Sequence, residues 1–277
     1  GNGYGNQAAS AADLASLMVI DIKTGNLVRE LTVTANSALP NGLSTPRLAD
    51  NNSDGVADYA YAGDLQGNMW RFDLVTTSTS PASPDPFRKD LIGTIQPSVF
   101  KIAFAGTPLY TAIDGRTTGA TAQAITAPPS LVRHPTGLGY IVAFGTGKYF
   151  ETTDGNIDST RAMTAYGIWD RATKGQDTFT RTSPTRTNLQ EQTITEQATS
   201  NPFSANETVQ GLRIVSQNSV LWYDANNNVN KHGWYLDFKV SGATSNTGEM
   251  LINPMAARGK VLLLNTLTPN ANPCREG

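Results

Sequence analysis

Apolar and polar residues alternate along this chain in short runs, and sustained periods near 3.6 are few, so the pattern predicts strands with few and short helices. Leu17 to Ile22 (LMVIDI) and Leu27 to Val33 (LVRELTV) flank the tetrad Lys23-Thr24-Gly25-Asn26. Two β-rich runs around a Gly-Asn turn predict a hairpin. Further strands are predicted at Asp58 to Ala62, Asn68 to Leu74, Lys101 to Phe104, Tyr140 to Phe144, Ala165 to Asp170, Gly211 to Ser216, Trp234 to Val240 and Lys260 to Asn265. Thr76 to Pro86 is expected to be a loop, because its prolines cannot donate to a ladder. Asp177 to Asn206, rich in Thr, Gln and Ser, is expected to be a long surface excursion or a mobile insert.

Four segments share a Gly–aromatic–acid pattern: Gly67 to Asp73 through Trp70, Gly147 to Glu151 through Tyr149, Gly167 to Asp170 through Trp169, and Gly233 to Asp237 through Trp234. Radially arranged sheets would repeat such local chemistry while their loops vary. At ~40–45 residues per blade the chain would hold roughly six blades. The competing reading is a sandwich whose aromatics coincide; the pattern favours the propeller. Composition agrees with an all-β chain, since only 16% of its 277 residues are charged and turn-forming residues are plentiful.

A net charge of −2 leaves no electrostatic footprint for nucleic acid. Apolar runs such as Val261 to Leu264 fall far short of the ~20 residues of a membrane helix, so no direct insertion is expected. The chain opens Gly1-Asn2-Gly3-Tyr4 and reads as a single β domain over 1–277, excised from something longer. Cys274 is the only cysteine; it is either a free thiol or half of a disulfide with a partner outside this sequence.

The sharpest chemistry lies at Asp50-Asn51-Asn52-Ser53-Asp54-Gly55-Val56-Ala57-Asp58, which fits D-x-[DN]-x-[DN]-G-x-x-D. Calcium takes about six to eight oxygens, and this spacing wraps a chain around one ion. Asp50, Asn52 and Asp54 are expected to supply side-chain oxygens, Gly55 the sharp bend, and Val56 its carbonyl. Asp58 closes the site directly or through water. A helix–loop–helix version would carry Glu where Tyr61 stands, so Asp58 is expected to replace it and the loop to feed a strand. The alternative is an Asn/Asp-rich turn. Asp224 to Asn230 and Asp154 to Asp158 read as plain turns.

Other chemistry is missing. His134 and His232 belong to no ligand-like cluster, sit before Pro135 and Gly233, and are expected at surface turns; no zinc site is expected on this count. No nucleophile elbow, phosphate loop or dinucleotide fingerprint is present. Gly145-Thr146-Gly147-Lys148 lacks both the preceding glycine and the following hydroxyl of a phosphate loop.

Together, Asp50 to Asp73, Phe144 to Tyr149, Tyr166 to Asp170, Gly233 to Asp237 and the tail from Gly248 through Arg258-Gly259 to Pro273-Cys274 resemble the C-terminal domain of the PilY/PilC family of type IV pilus tip-associated adhesin and biogenesis proteins. The resemblance covers about Leu17 to Cys274. It implies a modified β-propeller with long loop insertions, possessed by a non-enzymatic protein secreted through the periplasm to the cell surface, at the pilus tip or associated with the outer membrane. Minor pilins and host or abiotic surfaces are the implied partners. It also implies Ca2+ at Asp50, Asn52, Asp54, Val56 (carbonyl) and Asp58, with occupancy biasing pilus extension against retraction and supporting twitching motility and attachment. Asn52, where many relatives carry Asp, lowers the charge of the site. Two alternatives stand beside this one: a quinoprotein-like propeller dehydrogenase, disfavoured by the lack of adjacent cysteines, and a purely structural calcium-stabilised propeller.

Overall fold

The computed structural model describes residues 15–34, 36, 39–51, 53, 55–74, 100–171, 183–198 and 212–269. In chain order the strands are β1 (Ser16–Ile20), β2 (Leu27–Thr32), β3 (Arg47–Ala49), β4 (Tyr59–Gly63), β5 (Asn68–Asp73), β6 (Lys101–Ile102), β7 (Tyr110–Thr111) and β8 (Ser130–Arg133). They continue with β9 (Tyr140–Gly145), β10 (Thr164–Asp170), β11 (Gln190–Ala198), β12 (Leu212–Val215), β13 (Gly233–Val240), β14 (Ala256–Arg258) and β15 (Val261–Leu263). Helical structure among the described residues is limited to 3-10 turns at Phe104–Gly106, Thr152–Gly155 and Arg186–Asn188. The chain is all-β, as its periodicity predicts. The predicted loop Thr76 to Pro86 and Cys274 lie outside the described residues.

β1 and β2 form the expected antiparallel hairpin, paired from Ser16↔Thr32 to Ile20↔Leu27. Gly25 turns the chain at φ 74°, and the Asp21 carboxylate caps the turn by accepting the N–H groups of Lys23 and Thr24 at 2.8 and 3.0 Å.

Strand β4 shows how a two-residue period builds layers. Its sequence YAYAG is buried throughout. Tyr59 and Tyr61 face a cluster with Met69, Tyr110, Phe144 and Tyr166, whereas Ala60 and Ala62 face Trp70, Phe72, Leu17 and Leu31. Alternate side chains of a strand point to opposite faces, so the sheet β3-β4-β5-β6, with β7 also on β5, packs on the β1–β2 hairpin by one face. By the other it packs on a six-stranded sheet of order β12-β11-β13-β10-β9-β8. That second sheet turns Ala143 and Ala165 to a third cluster with Leu251 and Met255, against which Leu262 of the β14–β15 hairpin packs. Each large apolar side chain buried in these seams stabilises by about 1.5–3 kcal/mol.

The Gly–aromatic–acid pattern does not mark one blade per copy. β10 and β13 are neighbours in one sheet, and Gly147 to Glu151 is not a strand. The described strands make two multi-stranded sheets and two hairpins, a modified propeller rather than six even blades. Glycine in the pattern answers to close approach. A Cβ on Gly233 would fall 2.1 Å from the Gly167 carbonyl oxygen, and one on Gly167 2.5 Å from the Trp234 ring.

Two further expectations are corrected. Within Asp177 to Asn206, Gln190–Ala198 is strand β11, parallel to β13 and antiparallel to β12. Its β-branched Thr193, Ile194 and Thr195 suit a pleated ladder, and Ile194 is buried; polarity concealed this. His134 is buried rather than at a surface turn, stacked on Trp169 at 3.9 Å between centroids, with Trp222 edge-on. His232 is half-buried, its carbonyl accepting the Trp169 N–H at 2.8 Å.

The seam between the two large sheets holds a buried charge. Arg71 on β5 donates to Asp73 at 2.8 Å and to Asp170 on β10 at 3.0 Å, with both partners buried. Tyr61 on β4 donates to the same Asp170 at 2.7 Å, and the guanidinium lies over the rings of Tyr59 and Phe104 at 4.1 and 4.9 Å. Burial alone would lower the Arg71 pKa; Asp170 and Asp73 overcome it and hold it well above its ordinary value.

Asp170→Ala leaves that guanidinium undercompensated and is expected to cost about 3–5 kcal/mol, read as a lower urea midpoint at unchanged slope. A second expectation concerns pH. Burial, reinforced by the Arg171 charge, lowers the His134 pKa from 6.5 to about 4. The unfolded chain therefore binds this proton first, so the contribution is intact above pH 6.5 and is lost as pH falls from 6.5 toward 4. Solvent screening reduces the full shift, and a loss of about 1–2 kcal/mol across that window is expected. Melting curves of wild type and His134→Phe should diverge in slope there, with the variant flatter.

Candidate metal centre

The Asp50–Asp58 loop connects β3 to β4 as an irregular hairpin, closed where the Asp58 N–H donates to the Ala49 carbonyl at 2.8 Å and Ala49 pairs with Tyr59. The residue after Asp58 begins β4, so the loop feeds a strand, as the departure from the helix–loop–helix pattern predicts.

The chain folds around the carboxylate of Asp50. One oxygen accepts the Ser53 N–H at 2.6 Å and the other the Gly55 N–H at 2.8 Å. This requires left-handed backbone at Ser53 (φ 63°) and Gly55 (φ 88°). No atom lies within 4 Å of a Cβ built on Gly55, so glycine is needed there for its conformation and not for space. The far end of the loop returns to the near end: Asp58, buried, accepts the Asn51 N–H at 2.6 Å. Val56 turns its side chain outward and is exposed, which suits a residue contributing only a carbonyl.

Asn52 and Asp54 lie outside the described residues, so the structure brings Asp50, Gly55, Val56 and Asp58 into one loop and is silent on the other two. Among the described residues no three His, Cys, Asp or Glu side chains gather as a metal cluster; the loop's third carboxylate, Asp54, is not among them. The described donors fit a hard cation. All are oxygens, and a carboxylate has about four acceptor sites, so Asp50 can hold two N–H groups and still ligate.

Two residues that sequence reading missed grip this loop from the neighbouring sheet. Arg133, at the end of β8, donates to the Asn51 side-chain oxygen at 2.9 Å and to its carbonyl at 2.8 Å. Tyr140, at the start of β9, donates its hydroxyl to the Asp50 carbonyl at 3.2 Å. Burial pushes the Tyr140 phenol up; Arg133 opposes this, and Asp58 and Asp50 add to it, so the hydroxyl stays a donor. They lie 82 and 90 residues from their partners, and no local motif announces such a contact.

The turns at Asp154 and Asp224 also accept backbone N–H groups, but over shorter spans than that from Asp58 back to Asn51. Asp224 spends its carboxylate on the N–H groups of Asn226 and Asn228 at 2.9 and 2.8 Å, a capped turn. Lys148 is held by Glu151 at 2.7 Å and Asp154 at 3.2 Å, a salt-bridged corner rather than a phosphate cradle.

A family model described as the PilY1 beta-propeller domain matches residues 1–207. The type IV pilus biogenesis factor PilY1 of Pseudomonas aeruginosa is 53% identical over 277 residues, covering 100% of this chain and 23% of that protein. A PilY1 homolog of Xylella fastidiosa is 29% identical over 286 residues, covering 97% of this chain and 16% of its own length. The crystal structure of the P. aeruginosa PilY1 C-terminal domain superposes with a TM-score of 0.84 at 51% identity, covering 97% of this chain and 52% of that one. The chain thus spans under a quarter of the curated relatives it matches at 53% identity.

The loop generates its own expectation. Asp50→Ala removes the acceptor of two backbone N–H groups and should cost about 1–2 kcal/mol without any metal. Hydrogen exchange should accelerate at Ser53 and Gly55 while the amides of β4 keep wild-type rates.

Proposed function

The chain belongs to the PilY1 β-propeller family of type IV pilus proteins, and on that premise we propose that it is the calcium-binding part of a pilus-tip adhesin and assembly factor. The observation that carries this reading is the Asp50–Asp58 loop, whose chain is wound about the Asp50 carboxylate and whose ends meet at Asp58. Asp50, Asn52, Asp54, the Val56 carbonyl and Asp58 would hold the ion. Calcium, when bound, supplies the charge that offsets three carboxylates confined to nine residues.

The chain's own residues do the rest. Without a cation, Asp50, Asp54 and Asp58 repel one another and loosen the turn; with their charge offset, the turn is pinned to β4. Asn52 keeps one charge out of the set, which favours a site of moderate affinity that can exchange its ion. In this reading occupancy biases pilus extension against retraction and thereby twitching and attachment. The role is non-enzymatic, at the cell surface, with minor pilins and host or abiotic surfaces as partners.

Calorimetric titration of the 277-residue chain with calcium should give a one-site heat and a higher Tm, both abolished in Asp54→Ala. Identical heats and melting temperatures in the two proteins would overturn the site. In the full-length protein, Asp58→Ala should change pilus number and twitching. Unchanged motility alongside calcium stabilisation in vitro would reduce the loop to a structural staple.

A further inference from the structure

The loop is held from two directions by two different sheets. Its C-terminal end runs straight into β4, where Tyr59 lies under the Arg71 guanidinium. Its N-terminal arm is gripped across the seam by Arg133 and Tyr140, which are register partners on β8 and β9. Arg133 lies over the Tyr140 ring at 4.5 Å, so each fixes the other. Alongside, Arg47 on β3 donates to the Pro129 carbonyl just before β8 at 3.2 Å.

The contact fits the loop's alternation. Positions 1, 3 and 5 are the inward ligand positions, so position 2, Asn51, is free of that duty, and its side chain reaches the neighbouring sheet instead. Arg133 meets it with a planar fork, one N–H to the amide oxygen and one to the carbonyl, a geometry that lysine cannot reproduce.

Tyr140 continues the connection. It stands opposite Asp170 in the β9–β10 register, and Asp170 is the carboxylate that pairs with Arg71. The two ends of the loop are therefore joined through Tyr140, β10, Arg71 and Tyr59, a circuit that crosses the seam between the two large sheets.

We propose that Arg133 and Tyr140 are positioning residues of the loop, holding its Asp50–Asn51 arm on the six-stranded sheet so that a cation taken into the loop acts on that sheet as well as on β4. The cation half of this statement rests on the calcium reading; the clamp itself does not. Affinity alone is a poor readout, because losing Arg133 removes preorganisation and a nearby like charge together. Protection across the seam separates these effects.

The test is hydrogen exchange of the 277-residue chain, without and with calcium chloride, in wild type, Arg133→Gln, Arg133→Lys and Tyr140→Phe. Without calcium, residues 50–58 should exchange about tenfold faster in both Arg133 variants, the effect of losing a charge-assisted bond. Tyr140→Phe, the mildest change, should show the same direction. With calcium, wild type should gain protection in the loop, in β4 and in β9; Arg133→Gln should keep the first two gains and lose that in β9. Loop exchange in Arg133→Gln and Tyr140→Phe equal to wild type would overturn the clamp, and full rescue by Arg133→Lys would overturn the fork. Undiminished calcium protection of β9 in Arg133→Gln would overturn the cross-seam action. If wild type gives no calcium heat, the metal reading falls, and the calcium-free arm still decides the clamp.

Discussion

A guanidinium with no exposed side-chain surface sits between the two large sheets, and the alignment of those sheets depends on it. Arg71 bonds Asp73 beside it on β5 and Asp170 across the seam on β10. Apolar packing between sheets is non-directional and tolerates small slides. Charge-assisted hydrogen bonds in a dry seam do not, because stretching them leaves a buried ion without compensation. Tyr61 reinforces the choice of register by donating to the same Asp170, so β4, β5 and β10 are tied through one carboxylate.

That constraint decides how the Asp50–Asp58 loop is mounted. The loop leaves the five-stranded sheet at Ala49 and rejoins it at Tyr59, and Tyr59 is a face on which Arg71 rests. Its exit is therefore rigid. Its other arm rests on Arg133 and Tyr140, held by exposed or half-buried bonds that are weaker than the buried network. The two arms of the loop are therefore held unequally, one against the buried network and one by more exposed bonds.

How much of this was legible in the sequence follows from the range of each interaction. The β1–β2 hairpin was, because Asp21 and Gly25 act within a few residues of each other. So was β4, whose Tyr/Ala alternation states its two faces outright. Strand β11 was not, since Gln190, Glu191 and Gln192 read as solvent-seeking and gain their ladder only from β13, more than forty residues on. His134 failed for a similar reason: proline and glycine neighbours signal a turn, but the Trp169 ring that buries it is supplied by another strand. In the loop, the turn about Asp50 with its bend at Gly55 and its return at Asp58 was visible as a spacing, whereas Arg133 and Tyr140 are named by topology alone.

The Gly–aromatic–acid pattern shows how a correct observation can carry a wrong cause. It was read as a blade repeat, yet its acids share a different property. Asp73 and Asp170 pair with Arg71, Glu151 with Lys148 at 2.7 Å, and Asp237 with Arg186 at 2.6 Å. Each glycine in β10 and β13 lets a neighbouring backbone or ring come close, Trp70 and Trp169 are buried whereas Tyr149 is exposed, and each acid receives a cation. A strand end that brings an aromatic body into a core also buries polar backbone and any charge beside it, and a paired acid is a low-cost way to satisfy both. In β5 and β10 the pattern's acid ends a strand at the packed seam, in β13 its acid lies mid-strand, and Gly147 to Glu151 is a salt-bridged corner outside any strand. That is why its spacing along the chain is irregular, and why it marks ion-pair anchors more faithfully than blades.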